Sequence, residues 1–226
     1  MPPPEPRQRG GLSDAEALAW RLDGETTNPE APLLLCLHGY GMNEDYFAGL
    51  LQSLFDLPWN IVTVRAPFEA TDVKGRAYSW YDYDGNQERF RAELQRTDDL
   101  LQSFLADLES QLGIRPAQRV LLGFSQGGYC GSYVALMNPL LFQGLVVSGA
   151  RVKVEILQDA IPTAATAGFR ALLCHGEKDK SVKRDAAESS LRGLTSGGVE
   201  AELQLFDSGH VVGRSQVAAI KDWLQA

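Results

Sequence analysis

One stretch, Arg119-Val-Leu-Leu-Gly-Phe-Ser-Gln-Gly-Gly128, restricts what this chain can fold into more than any other. A short apolar run of strand-like length leads directly into Gly-x-Ser-x-Gly, and a helix-like segment, Gln126 to Met137, follows at once. A strand can hand over to a helix in so few residues only through a very sharp turn. Side chains at 123 and 127 would collide with that turn, so both positions must be tiny. Ser125 is then held clear of the backbone at the end of the strand, where a base can reach its hydroxyl. Pentapeptides of this form also occur by chance in loops. The strand before this one and the helix after it are what give it meaning.

The rest of the chain alternates strand-like and helix-like segments. Ala17 to Leu22 reads as a first, edge strand. Leu33 to Leu37 and Asn60 to Val64 read as central strands, with a helical spacing between them at Phe47, Leu50, Leu51 and Leu54. Glu88 to Leu112 is a long amphipathic helix closed by Gly113. Val120 to Gly123, Gly144 to Ser148, Ala171 to Cys174 and Leu203 to Phe206 supply the remaining strands. Ser181 to Leu194 and Ser215 to Leu224 supply the closing helices. Repeated strand-helix units imply an α/β fold with a mostly parallel central sheet, helices on both faces, and a site at the carboxyl ends of the strands.

A serine on such a turn takes its acid and then its histidine from later in the chain. Of the three histidines, only His175 and His210 follow Ser125. His210 stands in Phe206-Asp-Ser-Gly-His210, a turn leaving the last apolar alternation, and is the expected base; the competing reading is a surface loop histidine. Asp179, in the loop after Phe169-Arg-Ala-Leu-Leu-Cys-His-Gly176, is the expected acid, with Glu177 and Asp207 as rivals. Asp207, three residues before His210, reads as a turn former. A serine hydroxyl needs an imidazole to take its proton, and a carboxylate fixes the imidazole tautomer. The tetrahedral intermediate needs backbone N–H donors. Gln126 N–H is expected as one of them. Tyr40 N–H, in the Gly39-Tyr-Gly-Met42 loop after the strand Pro32 to Leu37, is expected as the other, with Gly41 and Met42 behind it. His38 reads as a brace for that loop.

Leu37-His-Gly-Tyr-Gly41, Gly123-Phe-Ser-Gln-Gly-Gly128, His175-Gly-Glu-Lys-Asp179 and Gly209-His210 together resemble the phospholipase/carboxylesterase family of small α/β-hydrolases. That group includes bacterial carboxylesterases and acyl-protein thioesterases. Arg65-Ala-Pro67 and Ser79-Trp-Tyr-Asp82 also resemble its pattern, and the likeness runs from about residue 33 to 225. It implies the α/β-hydrolase fold with Ser125, Asp179 and His210 as a catalytic triad, and Tyr40 and Gln126 backbone as the oxyanion hole. Gly41-Met-Asn-Glu-Asp-Tyr-Phe47 is closer to the bacterial esterases than to the thioesterases. Ala150-Arg-Val-Lys-Val-Glu155 is short, so little or no lid is expected. The expected activity is a serine carboxylesterase acting on short- to medium-chain esters. The same machinery would serve a lysophospholipase or an acyl-thioester hydrolase. A non-catalytic ligand-binding protein of this fold would normally carry a broken triad.

Composition narrows the partners. The net charge of −8 would be repelled by nucleic acid and by an anionic bilayer. No apolar stretch approaches the roughly 18 residues of a spanning helix. No stable membrane insertion is expected, and the resemblance implies a small-molecule ester as partner and a monomer or homodimer as the working form. Residues 1–11, rich in proline and arginine, read as a disordered lead-in to one domain over 12–226. They lack the apolar core of a secretory signal, which leads to an expected cytoplasmic location. Cys36, Cys130 and Cys174 fall inside apolar segments and read as small buried hydrophobes. No cofactor is expected, and no metal, since neither a Cys-x-x-Cys nor a histidine cluster is present. An acyl pocket could be lined by Phe68, Trp80, Val182 and Val211, for each of which a plain core or surface role is the alternative.

Overall fold

The computed structural model describes residues 5–10, 18–24 and 27–226. Ten strands and six α-helices alternate along it. In chain order they are β1 (Gln8–Gly10), β2 (Trp20–Asp23), β3 (Leu33–Leu37), α1 (Glu44–Leu50), β4 (Asn60–Val64), β5 (Phe68–Glu69), β6 (Tyr78–Ser79) and α2 (Gln87–Leu112). Then come β7 (Arg119–Phe124), α3 (Gln126–Met137), β8 (Gly144–Ser148), α4 (Ala160–Thr166), β9 (Arg170–Gly176), α5 (Arg184–Ser196), β10 (Glu200–Phe206) and α6 (Arg214–Gln225).

Eight strands form one sheet in the order β1-β2-β4-β3-β7-β8-β9-β10, and β5 pairs with β6 in a separate hairpin. From β4 to β10 all pairings are parallel, while β1 and β2 run antiparallel. The chain builds outward from β3 to β4 and then restarts on the other side of β3 with β7. That reversal opens a crevice at the carboxyl ends of β3 and β7, where open α/β sheets bind their ligands.

Strand periodicity sorts the core into two layers. Leu33, Leu35 and Leu37 of β3 pack with Leu121, Leu145 and Leu173 beneath α2, α3 and α4. Leu34 and Cys36 pack with Leu122, Val146 and Leu172 on the opposite face, beneath α1 and α6. Both faces are covered, which is why these strands read as continuous apolar runs. In α2, Asn86 caps the start through its side chain, and Gly113, at φ 64°, takes the left-handed turn that ends it.

Several expectations change at the ends of the chain. Among the described residues the strand expected up to Leu22 is Trp20–Asp23, and it is not an edge, because Gln8–Gly10 pairs outside it. Within the segment expected as a lead-in, residues 8–10 pair with Trp20–Leu22. The expectations for residues 1–4, 11 and 17 lie outside the described residues. The helical spacing at Phe47, Leu50, Leu51 and Leu54 resolves into α1 followed by a 3₁₀ turn at Gln52–Leu54.

Candidate active site

Ser125 lies at the tip of the turn between β7 and α3. Its backbone is at φ 50°, ψ −118°, and it is the one non-glycine residue with positive φ among those described. Such a conformation costs about 1–3 kcal/mol unless its surroundings impose it. Here Ser125 N–H donates to Ser148 O at 2.9 Å, while Ser125 O accepts from Gly128 N–H at 2.8 Å and Tyr129 N–H at 3.0 Å. A Cβ on Gly123 would stand 2.3 Å from Gly127 O, and one on Gly127 would stand 2.3 Å from Leu37 O. No other residue fits either position.

The loops after β9 and β10 bring Asp179 and His210 to the serine. His210 Nε2 is 2.9 Å from Ser125 Oγ, and His210 Nδ1 is 2.7 Å from Asp179 Oδ2. A carboxylate only accepts, so Nδ1 carries the proton and the Nε2 lone pair faces the serine hydroxyl. The other oxygen of Asp179 accepts from Ser181 N–H at 2.8 Å and Val182 N–H at 2.9 Å. Burial pushes the Asp179 pKa up, but the Val182 amide, the imidazole and the Ser181 amide outweigh it, holding the group below the usual carboxylate range. The rivals are engaged elsewhere: Glu177 pairs with Arg184, and Asp207 pairs with Lys178 in solvent. His175, fully buried beneath this loop, donates through Nε2 to Val182 O at 2.9 Å and so braces the turn that carries Asp179.

Beyond β3, Gly41 N–H donates to Tyr78 O and Met42 N–H to Gly39 O. Both alternatives to Tyr40 are therefore occupied. Tyr40 N–H and Gln126 N–H have no hydrogen-bond partner among the described residues. The second is a first-turn helix amide, which no intrahelical carbonyl can satisfy. Gln126 also works through its side chain: Oε1 accepts from Trp80 N–H at 2.9 Å, and Nε2 donates to Tyr81 O at 2.8 Å. Trp80 Nε1–H in turn donates to His38 O at 2.9 Å. His38 Nδ1–H donates to Gly39 O, and its Nε2 accepts from Ala66 N–H. The loop is thus braced through His38, as expected from sequence.

A cleft of about 380 Å³ opens over Ser125 and His210, with Val182 in its wall. The other expected pocket residues fall elsewhere. Trp80 is corrected from pocket wall to buried brace, at 1% exposure, because its indole N–H is spent on the loop carbonyl. Val211 is 51% exposed and outside this cleft. Phe68 lies beneath Arg96 in a neighbouring depression that also holds Tyr40. Tyr81, Tyr83, Phe90 and Tyr129 form much of the actual wall, joined by Arg151 and Lys153. Tyr129 could have been found from sequence, since it lies one helical turn after Ser125. No group of three or more His, Cys, Asp or Glu positioned to hold a metal occurs among the described residues. Nor is any described helix long and apolar enough to cross a membrane.

Residues 24–226 match the model of the Phospholipase/Carboxylesterase family. A probable carboxylesterase SOBER1-like protein of Arabidopsis thaliana is 27% identical over 128 residues, 54% of this chain; the matched region spans 47%, about half, of that relative. Among solved structures, esterase PE8 superposes with a TM-score of 0.73 at 25% identity, over 90% of this chain and 98% of that one. A carboxylesterase from Mesorhizobium loti gives 0.74 at 19% identity, over 96% and 99%. Acyl-protein thioesterase 2 from Zea mays gives 0.67 at 20%, over 91% and 97%. The last two speak for the α/β-hydrolase fold alone.

Proposed function

This chain belongs to the phospholipase/carboxylesterase family, and we propose that it is a serine carboxylesterase that cleaves short- to medium-chain esters through an acyl-enzyme. The observation that carries this reading is the relay Asp179–His210–Ser125, with contacts of 2.7 and 2.9 Å, set beside two unpartnered backbone N–H groups.

In this mechanism Ser125 Oγ attacks the ester carbonyl while His210 Nε2 takes its proton. The carbonyl oxygen becomes an oxyanion, held by Tyr40 N–H and Gln126 N–H. Asp179 keeps the proton on Nδ1 and stabilises the imidazolium. Collapse of the intermediate breaks the C–O bond of the alcohol, which leaves with the proton from His210. A water then repeats the sequence on the acyl-enzyme, giving the acid and free Ser125. The tyrosines, Arg151 and Lys153 in the cleft wall support soluble esters over long lipid chains. The reading includes a cytoplasmic enzyme working as monomer or homodimer on small-molecule esters.

The test is hydrolysis of p-nitrophenyl esters from acetate to palmitate by wild type and Ser125→Ala. Ser125-dependent turnover that peaks at short or medium chains supports the proposal. A peak at long chains moves the reading to lysophospholipids or acyl-thioesters. Undiminished turnover by Ser125→Ala rejects the nucleophile, and no turnover by the wild type on any ester favours a ligand-binding role.

A further inference from the structure

The chain carries 29 acidic and 21 basic residues, yet the cleft over Ser125 is lined by two cations, Arg151 and Lys153, and by no carboxylate. Lys153 is the more telling of the two. It is 8% exposed, in a loop segment where lysines ordinarily extend into water. Its ammonium lies 4.6 Å from the centre of the Phe90 ring and donates to Gln87 Oε1 at 2.6 Å. The nearest carboxylate, Glu155, is 3.8 Å away, beyond hydrogen-bond range. An ammonium has three donors, and a neutral amide oxygen takes one of them here. A buried cation whose one ion-pair partner stands off at 3.8 Å and is shared with Arg151 is incompletely compensated, and an anionic group would complete it.

Arg151 is tied to Glu155 by two hydrogen bonds, at 2.7 and 3.3 Å. Its guanidinium is therefore held in place at the cleft wall. The two cations of the cleft wall share the single Glu155 carboxylate, while the nearby Asp179 carboxylate is spent on His210 and the Ser181 and Val182 amides. In a wall that excludes part of the solvent, such a pair of cations discriminates strongly between neutral and anionic ligands.

We propose that the substrate is an ester bearing a carboxylate, which Lys153 and Arg151 bind while Ser125 attacks the ester group. This rests on the esterase reading of Ser125 and specifies its substrate class. The carboxylate can belong to the acyl or the alcohol part, and two probes separate these sources. Mono-p-nitrophenyl adipate places it on the acyl side and 3-carboxy-4-nitrophenyl heptanoate on the alcohol side, each compared with neutral p-nitrophenyl heptanoate.

In the wild type, kcat/KM for one of the two carboxylate esters should exceed that for the neutral ester by about tenfold or more, as charge-assisted hydrogen bonds imply. Lys153→Met keeps the apolar stem on Phe90 and removes the charge; Arg151→Gln removes the second cation. Each should lower that ratio severalfold, mainly through KM, whereas Glu155→Gln should raise it. Thermal melts show which variants fold; should Lys153→Met not fold, the wild-type ratios and Arg151→Gln decide. Ser125-dependent turnover with neither carboxylate ester preferred overturns this inference and leaves the esterase reading standing. So does a preference that survives loss of each cation. Absence of Ser125-dependent turnover on all three esters overturns both.

Discussion

Acidification should weaken this protein through His38 before it reaches the carboxylates that hold the site. His38 is fully buried, donating to Gly39 O at 2.8 Å and accepting from Ala66 N–H at 3.0 Å. Only a neutral imidazole can do both, since an imidazolium has two donors and no acceptor. Burial, opposed in part by the Gly39 carbonyl, lowers its pKa from 6.5 to about 4. The unfolded chain therefore takes up the proton first. The stability contributed is fully present above 6.5 and is lost as pH falls toward 4. The whole shift is worth about 3 kcal/mol at about 1.4 kcal/mol per unit. About 2 kcal/mol of it disappears between about pH 7 and about pH 5. Asp179 and Glu44 are held below the usual carboxylate range, Asp179 by the contacts described above and Glu44 by Arg65 against its own burial, so both stay ionised in that window. The assay is urea unfolding at the two pH values for wild type and His38→Asn. The asparagine amide can still donate to Gly39 O but does not titrate. Its baseline stability will be lower, through loss of the Ala66 bond, but every other group titrates in both proteins. The wild type should lose about 2 kcal/mol more than the variant on acidification. Parallel losses, within about 0.5 kcal/mol, would refute the assignment of a buried neutral His38 as the acid-sensitive element.

Three further outcomes follow from the geometry of the site. Asp179→Asn should reduce kcat by about 10⁴-fold while Asp207→Asn leaves it nearly unchanged, because only Asp179 touches the imidazole; steady-state kinetics of both variants check this, and the reverse ranking would make Asp207 the acid. Gly127→Ala places a methyl group against two backbone carbonyls and should destabilise the fold by about 3 kcal/mol or more, read by denaturant melts. Gln126→Ala keeps its backbone N–H but releases the Ser79–Tyr81 segment. It should lower both stability, by about 1–3 kcal/mol, and kcat, and an unchanged melt would show that the clamp contributes nothing.

Elements bounded by strong local signals were legible in the sequence. Gly144 to Ser148 and Gln126 to Met137 have the ends their turn residues suggest. The hairpin β5–β6 was not legible, because two-residue strands have no periodicity to detect. Ser125, Asp179 and His210 could be singled out because chain order and loop position restrict the choices, and they do stand in hydrogen-bond contact. The cleft wall was different. Trp80 advertised burial by its residue type, but whether it met substrate or backbone depended on what its indole N–H could reach. Nothing local marks Lys153 as part of the wall, because the side chains packed against it, Gln87 and Phe90, lie more than sixty positions earlier.

The side chain of Gln126 has a consequence for anyone who would re-engineer this protein. The segment joining β4 to α2 looks like an exchangeable cassette, since it leaves the sheet and carries Tyr81 and Tyr83 of the cleft wall. It is not an independent module. Its middle, Ser79 to Tyr81, is hydrogen-bonded to the residue that follows the nucleophile, and its tryptophan holds the carbonyl of His38. A segment transplanted from a relative to alter chain-length preference must bring acceptors to Gln126 Nε2 and donors to Gln126 Oε1 and His38 O. Otherwise the graft would trade specificity for a loosened nucleophile turn.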